Sequence, residues 1–194
     1  MDLNESSNKS EIPCLISSNC FAGRIMQDLK VPYNSPTEGL YFWAPDYIEF
    51  LKDLPHYLKA EITFVEHSKY PIGDERRAKW SHWYPIGLLD GKVEIHFLHY
   101  YTEQEAAEKW HRRAARVELN NVLIIGMDQN LCTEKEVEEF SKLPYKNKIF
   151  FSRFKLPFES NEFMPEFEGC VNVGDPYRKA DIYYRHLIDH FQPK

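Results

Sequence analysis

Small polar residues near the start of the chain are the first candidate for a binding site. Ser18, Asn19, Cys20 and Gly23 lie between a predicted buried strand, residues 12–16, and a predicted helix. A junction of this kind leaves backbone N–H groups free to hold an anion. The same residues could instead simply cap the helix, so both interpretations stay open. The Cys20 thiol could act as a nucleophile at a helix start, but we expect it to be dispensable because no histidine lies near it in sequence.

Two histidines, His96 and His99, are the second candidate and could serve as a general base. Both lie in a predicted strand over residues 93–101. Side chains alternate between the two faces of a strand, so the two rings diverge and do not form a metal pair. The alternative is a histidine hydrogen-bonded within a half-buried sheet.

Arg113 and Asp128 are the third set of candidates. Arg113 falls beside the apolar stripe of a predicted helix, so its guanidinium needs an anionic partner. That partner is either a ligand phosphate or a carboxylate of the protein, such as Glu94 or Asp128. Asp128 directly follows residues 122–127, a predicted buried strand. Its carboxylate could bind a metal or a ribose hydroxyl, or it could act as a general base. Alternatively, Asp128 simply forms a turn that leads into the next helix. No metal site is assigned from the spacing.

Alternating strand and helix patterns must position these residues. The predicted strands are residues 12–16, 40–43, 62–65, 93–101, 122–127 and 148–151. The predicted helices begin after residue 20, at the proline of position 45, at the capping-box threonines of positions 102 and 133, and at the aspartate–proline pair of positions 175 and 176.

The order of these elements predicts the fold class. Strands alternating with helices indicate βαβ units and a sheet covered by helices. Asp90 and Gly91 form a hairpin signal that adds antiparallel strands. We therefore predict a three-layer α/β fold with a mixed, mostly parallel central sheet. Carboxyl ends of parallel strands share one edge, so Asn19 and Asp128 should flank one cleft with a histidine and, less firmly, Arg113.

Length and composition set the limits on class and location. The 194 residues suit a single α/β domain over residues 12–194, preceded by a flexible tail over residues 1–11 and carrying an inserted loop at about 66–89. The chain is 43% hydrophobic, which excludes intrinsic disorder, and its net charge of −6 argues against nucleic-acid binding. It has neither a signal-like start nor an apolar run of about 20 residues, so we expect a cytoplasmic protein without a membrane span. Its four cysteines lack zinc spacing and are expected to be free thiols.

Several short motifs, taken in order, resemble a known family. They are residues 16–23, 32–36, 84–87 and 95–100, the pair Trp110 and Arg113, and residues 143–148. Together they are similar to an uncharacterised bacterial family labelled exopolysaccharide biosynthesis protein, a domain of unknown function found with capsule and surface-glycan genes. The resemblance implies a cytoplasmic step in surface-glycan production and names no reaction.

The leading hypothesis is an enzyme that transfers a glycosyl or acyl group from or to an activated sugar. The first loop and Arg113 would hold an anionic group, His96 or His99 would act as base, and Asp128 would orient it. The alternative is a non-catalytic sugar-binding, nucleotide-binding or assembly protein of the same pathway. An enzyme predicts a polar cleft where strand ends converge, whereas a binding module predicts plugged strand ends and a flat aromatic patch. The sequence identifies neither a cofactor nor an oligomeric state.

Overall fold

Strands and helices alternate along the chain. The computed structural model describes residues 13–191. The strands are β1 (Cys14–Ser17), β2 (Ile62–Val65), β3 (Ile86–Leu89), β4 (Val93–His96), β5 (Val122–Met127), β6 (Lys148–Ser152) and β7 (Asn161–Phe163). The helices are α1 (Phe21–Asp28), α2 (Ala44–Lys52), α3 (Leu54–Tyr57), α4 (Pro71–Lys79), α5 (Glu103–Ala114), α6 (Glu134–Ser141) and α7 (Ala180–Phe191), with a 3-10 turn at Pro165–Phe167. The predicted tail, residues 1–11, lies outside the described residues.

Four parallel strands form the central sheet, in the order β1-β5-β6-β7. Every residue of β5 is buried because the strand has neighbours on both sides and cover on both faces. Ile124 belongs to one core cluster with Phe140 of α6, and Ile125 belongs to another with Phe21 of α1 and Tyr183 of α7. Alternate side chains of one strand thus enter two separate cores. The predicted α/β class, with helices on both faces of a parallel sheet, is confirmed.

The antiparallel strands form a second, three-stranded sheet in the order β2-β3-β4. The predicted hairpin turn is present, with positive φ angles of 49° at Asp90 and 66° at Gly91. This sheet lies within the long connection between β1 and β5. The predicted parallel and antiparallel strands are therefore both present, but they form two separate sheets and not one mixed sheet.

Several element boundaries differ from the sequence-based expectation. Residues 40–43, predicted as a strand, form only an isolated bridge between Tyr41 and His96. The strand predicted over residues 93–101 ends at His96, where the chain turns. Residues 66–89, predicted as an inserted loop, contain helix α4 and strand β3.

Capping residues predicted the starts of three helices, and two of these helices begin where predicted. Thr133 forms the complete predicted capping box with Glu136 at the start of α6. Thr102 accepts a hydrogen bond from the N–H of Glu105 at the start of α5, but the Glu105 carboxylate accepts from the N–H of Tyr101 and not from that of Thr102, so half of the predicted capping box forms. The last helix begins at Ala180, not beside the proline at position 176, because the carboxylate of Asp175 instead caps a separate turn. No helix within residues 13–191 is long and apolar enough to cross a membrane.

Candidate functional site

A cleft of about 370 Å³ opens at the carboxyl ends of β1 and β5, and we call it the strand-end cleft. Its floor is built from Asn19 and Cys20, which follow β1, and from Gln129 and Asn130, which follow β5. These two strands are parallel neighbours, so they end at the same sheet edge. The walls are formed by Tyr41, Arg76, Trp80, Leu98, Asp175, Pro176 and Tyr177.

Amide side chains lock the floor of the cleft. The side chain of Asn19 accepts a hydrogen bond from the N–H of Phe21 at 3.0 Å and donates to the side-chain oxygen of Gln129 at 3.0 Å. Gln129 in turn donates to the carbonyls of Val173 and Gly174, at 2.9 and 2.8 Å. Asn19 therefore caps α1 and also ties the end of β1 to the end of β5. The side-chain amides of Asn19 and Gln129 thus form much of their possible hydrogen bonding within the protein.

Arg76 supplies the cation of the cleft. Its guanidinium lies 4.9 Å from the ring centroid of Tyr41 and 4.6 Å from that of Trp43. One amino group donates to the side-chain oxygen of Asn130 at 2.8 Å. Among the side chains described, those of residues 13–187, no carboxylate forms an ion pair with Arg76. Its guanidinium is held in place by aromatic faces and an amide.

Sequence analysis did not assign Arg76 to the site, because it lies in the stretch predicted as an inserted loop. The available signal was a basic run, residues 76–79, directly followed by Trp80. Both Arg76 and Trp80 reach the cleft because α4 lies across its mouth.

His96 lies behind the rings that carry Arg76. Its side chain is fully buried, with Nδ1 3.0 Å from the Tyr41 hydroxyl and Nε2 2.9 Å from the indole nitrogen of Trp43. The same Nε2 lies 2.7 Å from Oε1 of Glu94. Burial lowers the pKa of His96. The histidine does not line the cleft, and its contacts orient the two aromatic rings beneath Arg76.

Glu94 extends this buried network towards α4. Its carboxylate accepts hydrogen bonds from the Ser68 hydroxyl at 2.5 Å and from the N–H of Lys69 at 2.7 Å. Burial works to raise the pKa of Glu94, but hydrogen bonds from His96, Ser68 and Lys69 hold it below its ordinary value. Because Ser68 and Lys69 lead directly into α4, Glu94 helps to set the position of that helix.

Two other predicted residues lie away from the cleft. His99 is exposed, and its backbone N–H donates to the carbonyl of Gly39 at 2.9 Å. Arg113 donates to the carbonyl of Glu38 at 3.2 Å and to the hydroxyl of Tyr100. Neither His99 nor Arg113 lines the cleft that contains Asn19.

Asp128 is at the expected edge of the sheet, but its side chain is engaged elsewhere. Its carboxylate is buried and lies 2.9 Å from Nε of Arg153. Burial raises the pKa of Asp128, and the neighbouring Arg153 opposes that rise. The carboxylates proposed as partners for Arg113, Glu94 and Asp128, are thus paired with other residues. Among the described side chains, those of residues 13–187, no three His, Cys, Asp or Glu groups are placed to hold a metal ion.

The loop predicted to bind an anion is occupied by a carboxylate of the protein. A Cβ atom added to Gly23 would lie 1.5 Å from Oε2 of Glu38, so the glycine makes room for that side chain. This oxygen is buried and has no hydrogen-bond partner in the part of the chain whose side chains are described, residues 13–187. Burial raises the pKa of Glu38, and the nearby charge of Arg113 opposes that rise. Ser18 is buried and does not line the cleft. An anion is better placed beside Arg76 than in this loop.

Cys20 reaches the cleft, but as a protonated thiol. Burial raises its pKa to about 12, and the nearby Glu38 adds to the rise. Burial likewise raises the pKa of Cys14 to about 12 and raises that of Cys132. The four cysteines are free thiols, as predicted, and Cys170 is exposed.

We expect iodoacetamide at about neutral pH to label one thiol rapidly, that of Cys170, because alkylation requires an accessible thiolate. Mass spectrometry of tryptic peptides would identify the labelled residue. The variant Cys170→Ser should lose the fast phase while its fold is retained. Rapid labelling of Cys20 in that variant would contradict its assignment as an inert wall residue.

A larger open groove, of about 680 Å³, lies near the amino ends of the strands and includes the motif at residues 145–148. Its most buried cation, Lys148, donates to the carbonyls of Ser141 and Leu143, at 2.7 Å in the case of Ser141. These carbonyls end α6, so the lysine caps that helix. We therefore assign this motif a structural role.

Comparison with known proteins gives two matches. Residues 5–193 match a family described as a domain of unknown function, DUF1919, and the match spans both sheets and the strand-end cleft. A protein of Haemophilus influenzae, described as an uncharacterized protein, is 38% identical over 178 residues. That similarity covers 91% of this chain and 80% of the relative.

Proposed function

We propose that the strand-end cleft of this protein, which belongs to the DUF1919 family, binds an activated sugar through the sugar's phosphate group. The observation that carries this proposal is Arg76. It is a cation held at the cleft on two aromatic faces, with no carboxylate partner among the described side chains of residues 13–187. Arginine binds phosphate oxygens through paired, charge-assisted hydrogen bonds, and Arg76 has five N–H donors, one of which bonds to Asn130.

The rest of the cleft supports a sugar as the group attached to that phosphate. Trp80 and Tyr177 present partly exposed rings at the cleft, and such amphipathic rings pack well against the C–H faces of a sugar. Asp175 adds a carboxylate that can accept hydrogen bonds from sugar hydroxyls. A volume of about 370 Å³ lies within the range typical of small-molecule sites.

The proposed reaction is transfer of a glycosyl or acyl group in the production of a surface polysaccharide, in the cytoplasm. This part of the proposal rests on the motif resemblance and on the polar cleft at the strand ends. Among the cleft residues, Asp175 is the carboxylate able to take a proton from an attacking hydroxyl; it also caps a turn and lies 3.5 Å from Arg178, but unlike Asp128 it is exposed. Arg76 is the group able to stabilise a departing phosphate.

One observation supports the non-catalytic alternative. Neither His96 nor His99 lines the cleft, and Asp128 is held by Arg153. A protein that binds an activated sugar without transforming it needs only Arg76 and the aromatic walls. Phosphorus NMR of the bound sugar phosphate, with and without added acceptor sugars, distinguishes an enzyme from a binding protein. Only an enzyme converts the sugar phosphate into a product with a new phosphorus signal.

A thermal-shift screen tests the binding proposal directly. We expect nucleotide sugars or sugar 1-phosphates to stabilise the protein, while neutral sugars do not. A ligand at about 100 times its dissociation constant adds about 2.7 kcal/mol to the free energy of unfolding, which raises the melting temperature by roughly 5–10 °C for a chain of this size. Equal shifts with neutral and phosphorylated sugars, or no shift with any sugar phosphate, would refute the proposal.

A further inference from the structure

We propose that the strand-end cleft continues onto the surface as a track for a saccharide chain, formed by Trp80, His82, Trp83 and Tyr101. The inference rests on the proposed function, because it takes the cleft as the site of the activated sugar. It adds the class of the second ligand, which is an oligosaccharide and not a single sugar. We call these four residues the aromatic track.

The rings of the aromatic track are unusually exposed for their size. Trp83 is 52% exposed and Tyr101 is 65% exposed, whereas Trp43 and Trp110 are buried in the core. Trp80 is 39% exposed and forms part of the cleft wall. Large exposed aromatic side chains commonly mark a binding surface.

The track is continuous with the cleft. Leu98 lines the cleft, and its carbonyl accepts a hydrogen bond from Nε2 of His82 at 3.1 Å. The His82 ring packs against the ring of Tyr101, with 4.7 Å between their centroids. His82 and Tyr101 are thus joined by direct contacts to Leu98 in the cleft wall.

The composition of the track fits a sugar chain better than a protein partner. Polar residues lie beside the exposed rings in sequence: Ser81 and His82 lie between Trp80 and Trp83, and Thr102 follows Tyr101. A sugar presents C–H faces to rings and hydroxyls to polar neighbours, so it matches this combination. A stable protein interface buries about 800 Å² on each partner, whereas the track consists of four side chains.

The test is an oligosaccharide array that runs from single sugars to short chains of several linkage types. We expect binding of the wild-type protein to strengthen with chain length. Trp83→Ala and Tyr101→Ala should each weaken binding of the longer chains by about tenfold. The matched control is Tyr33→Ala, which removes another ring, 41% exposed, that lies outside the track and should change nothing.

The outcomes separate this inference from the proposed function. The stabilisation by a sugar phosphate should persist in both track variants and be lost in Arg76→Gln, because neither Trp83 nor Tyr101 lines the cleft. Absence of oligosaccharide binding, binding that ignores chain length, or equal losses in Tyr33→Ala and Tyr101→Ala would overturn the track. If only the sugar-phosphate shift is absent, the cleft assignment is wrong. Binding of oligosaccharides along the track is then still decided by the Trp83→Ala and Tyr101→Ala measurements.

Discussion

Replacement of Arg76 by glutamine is expected to weaken sugar-phosphate binding by roughly 10- to 150-fold. The reason is that hydrogen bonds to a charged group contribute about 1.5–3 kcal/mol, and glutamine keeps neither the charge nor the paired donors. Glutamine retains a hydrogen-bonding amide near Asn130, so the variant should fold normally. Isothermal titration with the sugar phosphate found in the screen, together with the melting temperature of the free protein, measures both effects.

Two further variants sharpen that test. Arg76→Lys should fall between wild type and Arg76→Gln, because lysine restores the charge but not the planar fork. Arg112→Gln removes an exposed arginine of α5 outside the cleft and should leave the affinity unchanged. An affinity for the sugar phosphate that is the same in Arg76→Gln and wild type would show that the phosphate binds elsewhere.

Replacement of Leu123 by aspartate is expected to prevent folding. Leu123 is buried in β5, in the core formed with α1 and α7, and both neighbouring strands are in place around it. An unpaired carboxylate there costs several kcal/mol, against a total stability of about 5–15 kcal/mol for a typical domain. Circular dichroism should show no cooperative transition in a urea titration.

The matched control is Leu119→Asp. Leu119 lies shortly before β5 and is exposed, so a carboxylate at this position remains in water. Its effect on the free energy of unfolding should stay within about 0.5 kcal/mol. If Leu123→Asp instead unfolded at the same urea concentration as Leu119→Asp, β5 could not be a central, doubly covered strand.

The sequence by itself determined the features that depend on local chemistry. The apolar run at residues 122–127 became β5 because a strand buried on both faces needs a continuous apolar sequence. The hairpin at Asp90 and Gly91 and the capping box at Thr133 follow from turn and cap preferences of a few adjacent residues. The shared edge of β1 and β5 follows from the handedness of parallel connections, so the place of the cleft was also predictable.

Only the tertiary structure decided which side chains reach that cleft. The strand pattern placed His96 on one face, but its burial depends on Tyr41 and Trp43, which come from a distant segment and cover it. Arg76 lies in α4, and it joins the cleft through a contact with Asn130, 54 residues away in sequence. Local patterns specify an element and its faces, whereas the partner of a charged side chain depends on how separate elements pack.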